Sequence, residues 1–356
     1  MTTANATPEK ATVAQLAAPQ GGKLEGLLTR EWRRRGWFAV SLLPLSAVYG
    51  VLTGLRRLMY ALGILRQVTL PVPVIVVGNI FVGGTGKTPF TIWLVESLRE
   101  RGFHPGVISR GYGRESDEIA EVRAGSTASE VGDEPLLIAA RSGAPVLVGR
   151  NRVWAARRLL ALHPEVDVII ADDGLQHYAL GRQIELQLSD ARGVGNGWLL
   201  PAGPLREPAS RRADFYVLNG VEAHGAHRYT MHLQGAHIEQ LADRGQRMPL
   251  GALNDGRRVA AAAGIGHPQR FFDMLAARGV PLSVTLPLPD HHDFAGNPFG
   301  GIDADVILIT EKDAVKCARN AKLRADPRLW VVPVRASIAG PLADNIVEKL
   351  RGYPTA

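Results

Sequence analysis

From residue 72 onward the chain alternates short, unbroken apolar runs with longer segments that look helical. "PVIVVG", "HPGVISRG", "APVLVG" and "VDVIIADD" read as strands, and the stretches at 88–102, 134–142 and 151–162 read as helices between them. Continuous apolar strands separated by helices predict a parallel sheet covered on both faces. "ADFYVLNG" is a further candidate strand, followed by a His- and Gly-rich polar stretch over 221–253. Within that stretch "HRYTMHLQ" alternates like an exposed hairpin, which predicts a β-hairpin linker. A second alternating unit starts at "GRRVAAAAGIG", runs through the helix-like "HPQRFFDMLAARG" to "PLSVTLPLPDHHDF", and closes with "ADVILIT" and "RLWVVPV". The expected organisation is a mobile tail over 1–22, an apolar segment plus a larger α/β domain over 23–220, the linker over 221–253, and a smaller α/β domain over 254–356. No internal repeat suggests a solenoid.

The apolar segment is "WFAVSLLPLSAVYGVLTGL", residues 37–55, uncharged and set between "REWRRRG" and Arg56–Arg57. Its length just reaches what a bilayer span needs. Pro44 interrupts it, however, and Ser41, Ser46, Gly50, Thr53 and Gly54 dilute it. Basic residues at both ends give no orientation. A secretory signal fits poorly, because about 36 residues precede the run. A helix, or a bent pair, lying in the cytoplasmic leaflet with its arginines on lipid phosphates is the preferred reading. A core helix and a true span are the alternatives.

Composition narrows the partners. Apolar residues at 46% and charged ones at 21% are ordinary for a folded protein, and the 39 glycines and 23 prolines are scattered among apolar runs. The single cysteine, Cys317, leaves no internal disulfide framework and fits a reducing compartment; its packing role is that of a small buried hydrophobe. A formal net charge of +7 points to an anionic partner. Without alternating basic and aromatic residues or zinc-finger spacing, that partner is a nucleotide or a lipid rather than nucleic acid.

The chemistry concentrates in a few stretches. "NIFVGGTGKTPF", residues 79–90, follows a buried strand and opens a helix. Gly83, Gly84 and Gly86, with Thr85 between them, let backbone amides approach phosphate oxygens; Lys87 reaches the β- and γ-phosphates, and the hydroxyl of Thr88 suits Mg²⁺. The first glycine of the full phosphate-loop pattern would fall at Phe81. "VDVIIADDGLQH" puts Asp172 and Asp173 at the carboxyl edge of the sheet, as metal ligands or as turn residues. "VGDEP" sets Asp133 and Glu134 before a helix, as caps or with Asp133 as a proton acceptor. "LPDHHDF" carries His291 and His292 between Asp290 and Asp293, either for proton transfer or on a surface loop, without the companion ligands of a metal site. "SRGYGR" and "VGRNRVW" place Arg110, Tyr112, Arg114, Arg150 and Arg152 after strands, where they suit a substrate-borne phosphate or simply face solvent.

Together these stretches resemble the tetraacyldisaccharide 4'-kinase family, the lipid A 4'-kinases of Gram-negative bacteria. The matching segments are "LLPLSAVYG", "VPVIVVGNIFVGGTGKTP", "VISRGYGR", "GDEP", "VDVIIADDGLQH", "DARGVGNGWLLPAGPLREP", "GIGHPQRFF", "LPDHHDF" and "LITEKDAVK", in the family's order. The resemblance implies a P-loop NTPase-like parallel sheet core, an N-terminal membrane-associated helix and a smaller second α/β domain. It implies transfer of the γ-phosphate of ATP, with Mg²⁺, to the 4'-hydroxyl of tetraacyldisaccharide 1-phosphate at the inner membrane's cytoplasmic face, giving lipid IVA. No obligate protein partner is implied. Lys87, Thr88 and the loop would hold ATP, with Asp172 and Asp173 at the metal. Asp133 resembles the catalytic base, His291 its partner, and Glu207 of "LREP" an acid near nucleotide or metal. Tyr112, Arg114, Arg152 and Glu134 resemble the acceptor site. The chain departs from the family pattern at His267, where asparagine is expected, and at Ala179, where arginine is common. Three other readings are a soluble small-molecule kinase, a GTP-binding switch and a passive nucleotide sensor. "TEKDAVK" lacks guanine-recognition spacing.

Overall fold

The computed structural model describes residues 14–15 and 31–353. Two helices lead, α1 (Trp37–Ser41) and α2 (Leu43–Ala61), broken at Leu42. Pro44 stands in the first turn of α2, where its missing N–H costs nothing and its ring cannot continue a helix from before. The segment expected over 37–55 is therefore a bent pair, and α2 runs past Arg56 and Arg57. Among the described residues no helix is long and apolar enough to cross a membrane.

Helix α2 is amphipathic in reverse. Its protein-facing side is small and polar: Ser46 Oγ donates to the Leu199 carbonyl at 2.7 Å and Tyr49 Oη to the Arg206 carbonyl at 3.0 Å. A Cβ on Gly50 would meet Leu199 Cδ1 at 3.0 Å. The opposite side exposes Leu45, Val48, Val51, Leu52, Leu55 and Leu58, with Val51 67% exposed. A soluble helix hides such a stripe.

The main sheet begins with β1 (Val74–Asn79), whose four β-branched residues and complete burial mark a central strand. After α3 (Lys87–Arg99) come β2 (Pro105–Ser109), β3 (Ala120–Glu121), α4 (Ala128–Val131) and α5 (Asp133–Ser142). Next are β4 (Val146–Val148), α6 (Arg152–Leu162), β5 (Val168–Asp172), β6 (Ile184–Asp190), β7 (Phe215–Asn219) and β8 (Arg228–Gln234). The chain then builds a second unit from β9 (His237–Gln240), β10 (Arg247–Pro249), β11 (Val259–Ala263), α7 (Pro268–Ala277), β12 (Leu282–Pro287), β13 (Val306–Thr310), α8 (Glu311–Cys317) and β14 (Leu329–Val332). It returns with β15 (Arg335–Ile338) and α9 (Leu342–Arg351).

The first unit is a nine-stranded sheet in the order β15-β8-β7-β6-β1-β5-β2-β4-β3, antiparallel only at its two edge pairs. On one face Val153, Ala156 and Leu159 of α6 join Val74, Val76, Ile108, Leu147 and Ile169 in one buried cluster. Because strand side chains alternate, Ile75 and Val77 face the other way, where α3 buries Phe90, Leu94 and Leu98. The second unit carries its own sheet, with β12-β11-β13-β14 parallel and the β9–β10 hairpin on one side. Alternate residues of "VAAAA" enter two clusters: Ala260 and Ala262 pack with Ile307 and Phe294, while Val259, Ala261 and Ala263 pack with Phe271 and Leu275.

Several expectations change. Residues 221–253 are no single linker hairpin: "HRYTMHLQ" is β8, a strand of the main sheet parallel to β7, while the hairpin is β9–β10 in the second unit. The smaller domain expected over 254–356 is also redrawn, because Val334–Ala356 groups with the first unit and Gly235–Pro333 with the second. The tail expected over 1–22 lies outside the described residues, apart from Ala14–Gln15, which pair in parallel with β12.

The reversed helix makes a clear forecast. Gly50→Leu is expected to cost roughly 1–3 kcal/mol by forcing α2 off Leu199, whereas Leu52→Ser should stay within about 0.5 kcal/mol. Thermal unfolding in neutral detergent distinguishes them; equal effects would refute the assignment of faces.

Candidate active site

Strand β1 ends beside β5, with Val77 opposite Asp172, so the glycine loop and the aspartate pair emerge at the same sheet edge. Gly83 and Gly86 take positive φ, 102° and 91°, and Gly86 is the left-handed residue before α3. A Cβ there would strike Asn219 Nδ2 at 2.7 Å, so only glycine fits. At Gly84 nothing lies within 4 Å of a built Cβ, which leaves room over the loop. Lys87 opens α3, and Thr88 is its second residue.

The two aspartates have different environments. Asp172 is 1% exposed and accepts from Thr91 Oγ1 at 3.2 Å and Ser109 Oγ at 3.3 Å. Burial, then the nearby Glu134 and Asp173 charges, push its carboxyl up to about 7 against the pull of Lys87. Asp173 sits in the left-handed region at φ 49° and meets Lys87 Nζ and Arg206 Nη1, each at 3.4 Å. Burial alone would raise it, but those two cations together hold it below the usual carboxylate range.

Asp133 is the first residue of α5, 3% exposed, and accepts from the Glu134 amide at 2.9 Å. It is placed there by two glycines packed face to face. Gly132, at φ 88°, would carry a Cβ 3.1 Å from Gly111, and Gly111, at φ 65°, would put one 2.7 Å from the Val131 carbonyl. The loop bearing Tyr112 and Arg114 is thus pressed against the start of α5. Tyr112 is 64% exposed. Arg152 is 4% exposed and donates to the carbonyls of Gly149 at 3.1 Å and Asp173 at 3.5 Å. Burial lowers it to about 10, with Asp173 and Asp172 opposing and Arg110 and Arg114 adding to the fall. Arg114 Nη2 and Arg152 Nε are buried donors without a hydrogen-bond partner. Two such nitrogens in one arginine cluster fit an anionic group.

Glu207, expected beside nucleotide or metal, is 2% exposed and has both oxygens engaged: Oε1 by Gln176 Nε2 at 2.8 Å, Oε2 by Tyr178 Oη and by Arg211 Nε at 2.8 Å. Gln176 also donates to the Asn79 carbonyl at 3.3 Å, so Glu207 braces the start of the phosphate loop. In the second unit His292 is committed: its Nδ1 accepts from the Phe294 amide at 3.1 Å, its ring meets Phe294 edge-on at 4.6 Å, and its carbonyl accepts from Lys316. His291, at φ 59°, lies 3.8 Å from Asp290.

Sequence reasoning passed over His177, although it quoted the stretch that ends there. Its Nε2 is buried without a partner, and burial, then Arg152, Arg182 and Arg56, depress it to about 4. Since the folded imidazole stays neutral while the unfolded one titrates near 6.5, its contribution is complete above that value and is lost as pH falls toward about 4. The thermal midpoint of His177→Gln should therefore fall less than that of wild type between pH 7.5 and 5; identical slopes would contradict the neutral assignment.

The chain was compared with known proteins. The family profile described as Tetraacyldisaccharide-1-P 4'-kinase, LpxK, matches residues 38–351. A tetraacyldisaccharide 4'-kinase of Janthinobacterium sp. (strain Marseille) is 58% identical over 347 residues, covering 95% of this chain and 100% of that protein. That of Herminiimonas arsenicoxydans is 57% identical over 356 residues, covering 95% and 99%. Among solved structures, the "apo" form of LpxK from Aquifex aeolicus in complex with ATP superposes with a TM-score of 0.73 at 29% identity, over 88% of this chain and 98% of that one. With its phosphate loop, aspartate pair and Asp133 helix all inside the matched region, the chain belongs to the tetraacyldisaccharide-1-P 4'-kinase family.

Proposed function

We propose that the protein transfers the γ-phosphate of ATP to the 4'-hydroxyl of tetraacyldisaccharide 1-phosphate. The observation that carries this reading is the meeting, at one sheet edge, of the open glycine loop, the Lys87–Asp173–Arg206 group and buried Asp133. Phosphoryl transfer depends mainly on alignment and on neutralising charge. The amides of Gly83, Gly84, Thr85 and Gly86 line the phosphates, and Lys87 leaves Asp173 for the γ-phosphate. Among the described residues no three His, Cys, Asp or Glu side chains gather to hold a metal by themselves. The residues present fit a cation that shares its ligands with nucleotide phosphates: the Thr88 hydroxyl and the Asp172 and Asp173 carboxylates, two acids crowded at one edge. Mg²⁺ bound there supplies positive charge to the phosphate oxygens. Asp133, buried at the start of α5, takes the proton of the acceptor hydroxyl. Arg114 and Arg152 offer their unpaired donors to an acceptor phosphate, beside exposed Tyr112. Glu134 adds negative charge beside Asp172, and Glu207 acts through Gln176.

The acceptor's acyl chains explain the reversed helix. Each methylene kept from water is worth about 0.8 kcal/mol, so the enzyme must work at the membrane surface. The apolar stripe of α2 lies in the cytoplasmic leaflet of the inner membrane, where ATP is available.

Two measurements test this. Transfer of labelled phosphate from ATP to detergent-dispersed acceptor should fall roughly 10²–10⁴-fold in folded Asp133→Asn; undiminished transfer removes Asp133 as base, and hydrolysis by wild type without transfer refutes the kinase reading. Co-sedimentation with vesicles containing anionic lipid should drop at least about tenfold in Val51→Asp/Leu55→Asp, since a charge on a buried face costs several kcal/mol. Unchanged sedimentation would remove α2 as the docking element.

A further inference from the structure

The loop over residues 80–86 lacks the first glycine of its pattern, and Phe81 stands there instead. Its first half is stitched to the segment 204–206: the Val82 amide donates to the Pro204 carbonyl at 2.9 Å and the Arg206 amide to the Ile80 carbonyl at 2.7 Å. Phe81 is buried against Ile80, Leu205 and Leu199. The Arg192 guanidinium lies over its ring, 4.4 Å from the centroid. That guanidinium also donates to the Val82 carbonyl at 3.5 Å and the Gly84 carbonyl at 2.8 Å. It is oriented by Asp190, 7% exposed at the end of β6, which accepts from Arg192 Nε at 3.0 Å and Nη2 at 2.8 Å.

The carbonyls between are held as well. Asn79 Nδ2 donates to the Gly83 carbonyl at 3.0 Å, Asn219 Nδ2 to the Thr85 carbonyl at 3.2 Å, and the Phe90 amide to the Gly86 carbonyl at 3.2 Å. Every carbonyl from Val82 to Gly86 therefore has a protein donor. Among the described residues, by contrast, the amides of 83–88 reach no backbone acceptor. A loop whose carbonyls are all turned into the protein and whose amides are all left over is a preformed anion cradle.

We propose that Arg192 is a positioning residue for the nucleotide, clamping the Val82 and Gly84 carbonyls so that the loop amides face the phosphates in place of the missing first glycine. Asn79 and Asn219 complete the clamp. The inference rests on the nucleotide reading above and adds what fixes the loop's shape. Arginine is required because one planar group must stack on Phe81, pair with Asp190 and give two carbonyl bonds; lysine can keep only the ion pair.

The test uses the full chain in detergent and measures ATP binding directly by calorimetry, the KM values for ATP and acceptor, and thermal midpoints. Arg192→Met should weaken ATP binding about tenfold or more, the equivalent of one or two lost net hydrogen bonds. The acceptor KM should stay within about twofold of wild type, because the clamp touches only the phosphate loop. Arg192→Lys should fall between. Should the methionine variant fail to fold, the lysine variant, which keeps the pair with Asp190, decides alone. Unchanged ATP affinity in a folded variant, or a loss confined to kcat, overturns the clamp while leaving the kinase reading intact. Failure of wild type to bind ATP would instead defeat that reading.

Discussion

The parallel pairing of β1 with β5 is the constraint on which the site depends. It sets Val77 opposite Asp172, so one strand hands over to the glycine loop at the level where its neighbour hands over to two carboxylates. A shift of one residue would turn every side chain of either strand to the other face, and both faces are buried. The register is therefore enforced by the whole core, including Val74, Val76 and Ile169, and the polar groups at the edge inherit its precision.

Adjacent aspartates at that edge are pushed in opposite directions by burial and by the charges that each one faces. Asp172 is enclosed near Glu134 and Asp173, and two hydroxyls and the Lys87 charge do not offset this, so its carboxyl is pushed up to about 7. Asp173, one residue on and in the left-handed region, is turned toward Lys87 and Arg206 and stays ionised. The backbone twist at Asp173 is what separates them. It is supported from behind by Arg152, which donates to that residue's carbonyl.

Much of this could be read from the sequence. The apolar runs gave the central strands, the glycine loop and the aspartate pair were found by their spacing, and the helix starting at Asp133 was expected within a residue. What failed was non-local. β6, "IELQLSD", sits inside the main sheet yet carries Glu185 and Gln187; Glu185 is paired with Arg211, 26 residues further along the chain, as well as with its near neighbour Arg182. β8 was read as an exposed hairpin, but it lies between β7 and β15, and β15 returns from about a hundred residues further on, which no local pattern announces. Glu207 and Arg152 were expected at the site, but their bracing contacts with Gln176 and the Asp173 carbonyl depend on partners that only the folded chain brings together.

The segment 199–206 touches α2 on one side and the phosphate loop on the other. Ser46 and Tyr49 bond to its carbonyls, and its Pro204 and Arg206 bond to Val82 and Ile80. Helix α2, with its exposed apolar stripe, is accordingly tied through that segment to the phosphate loop and is not a detachable tether. A chain begun after residue 62 would not be a water-soluble edition of the same enzyme, since the Arg206 carbonyl would lose the Tyr49 hydroxyl and the Leu199 carbonyl would keep only the Gly203 amide. A small molecule wedged into the seam between helix and segment would reach the nucleotide loop without ever occupying the nucleotide's place.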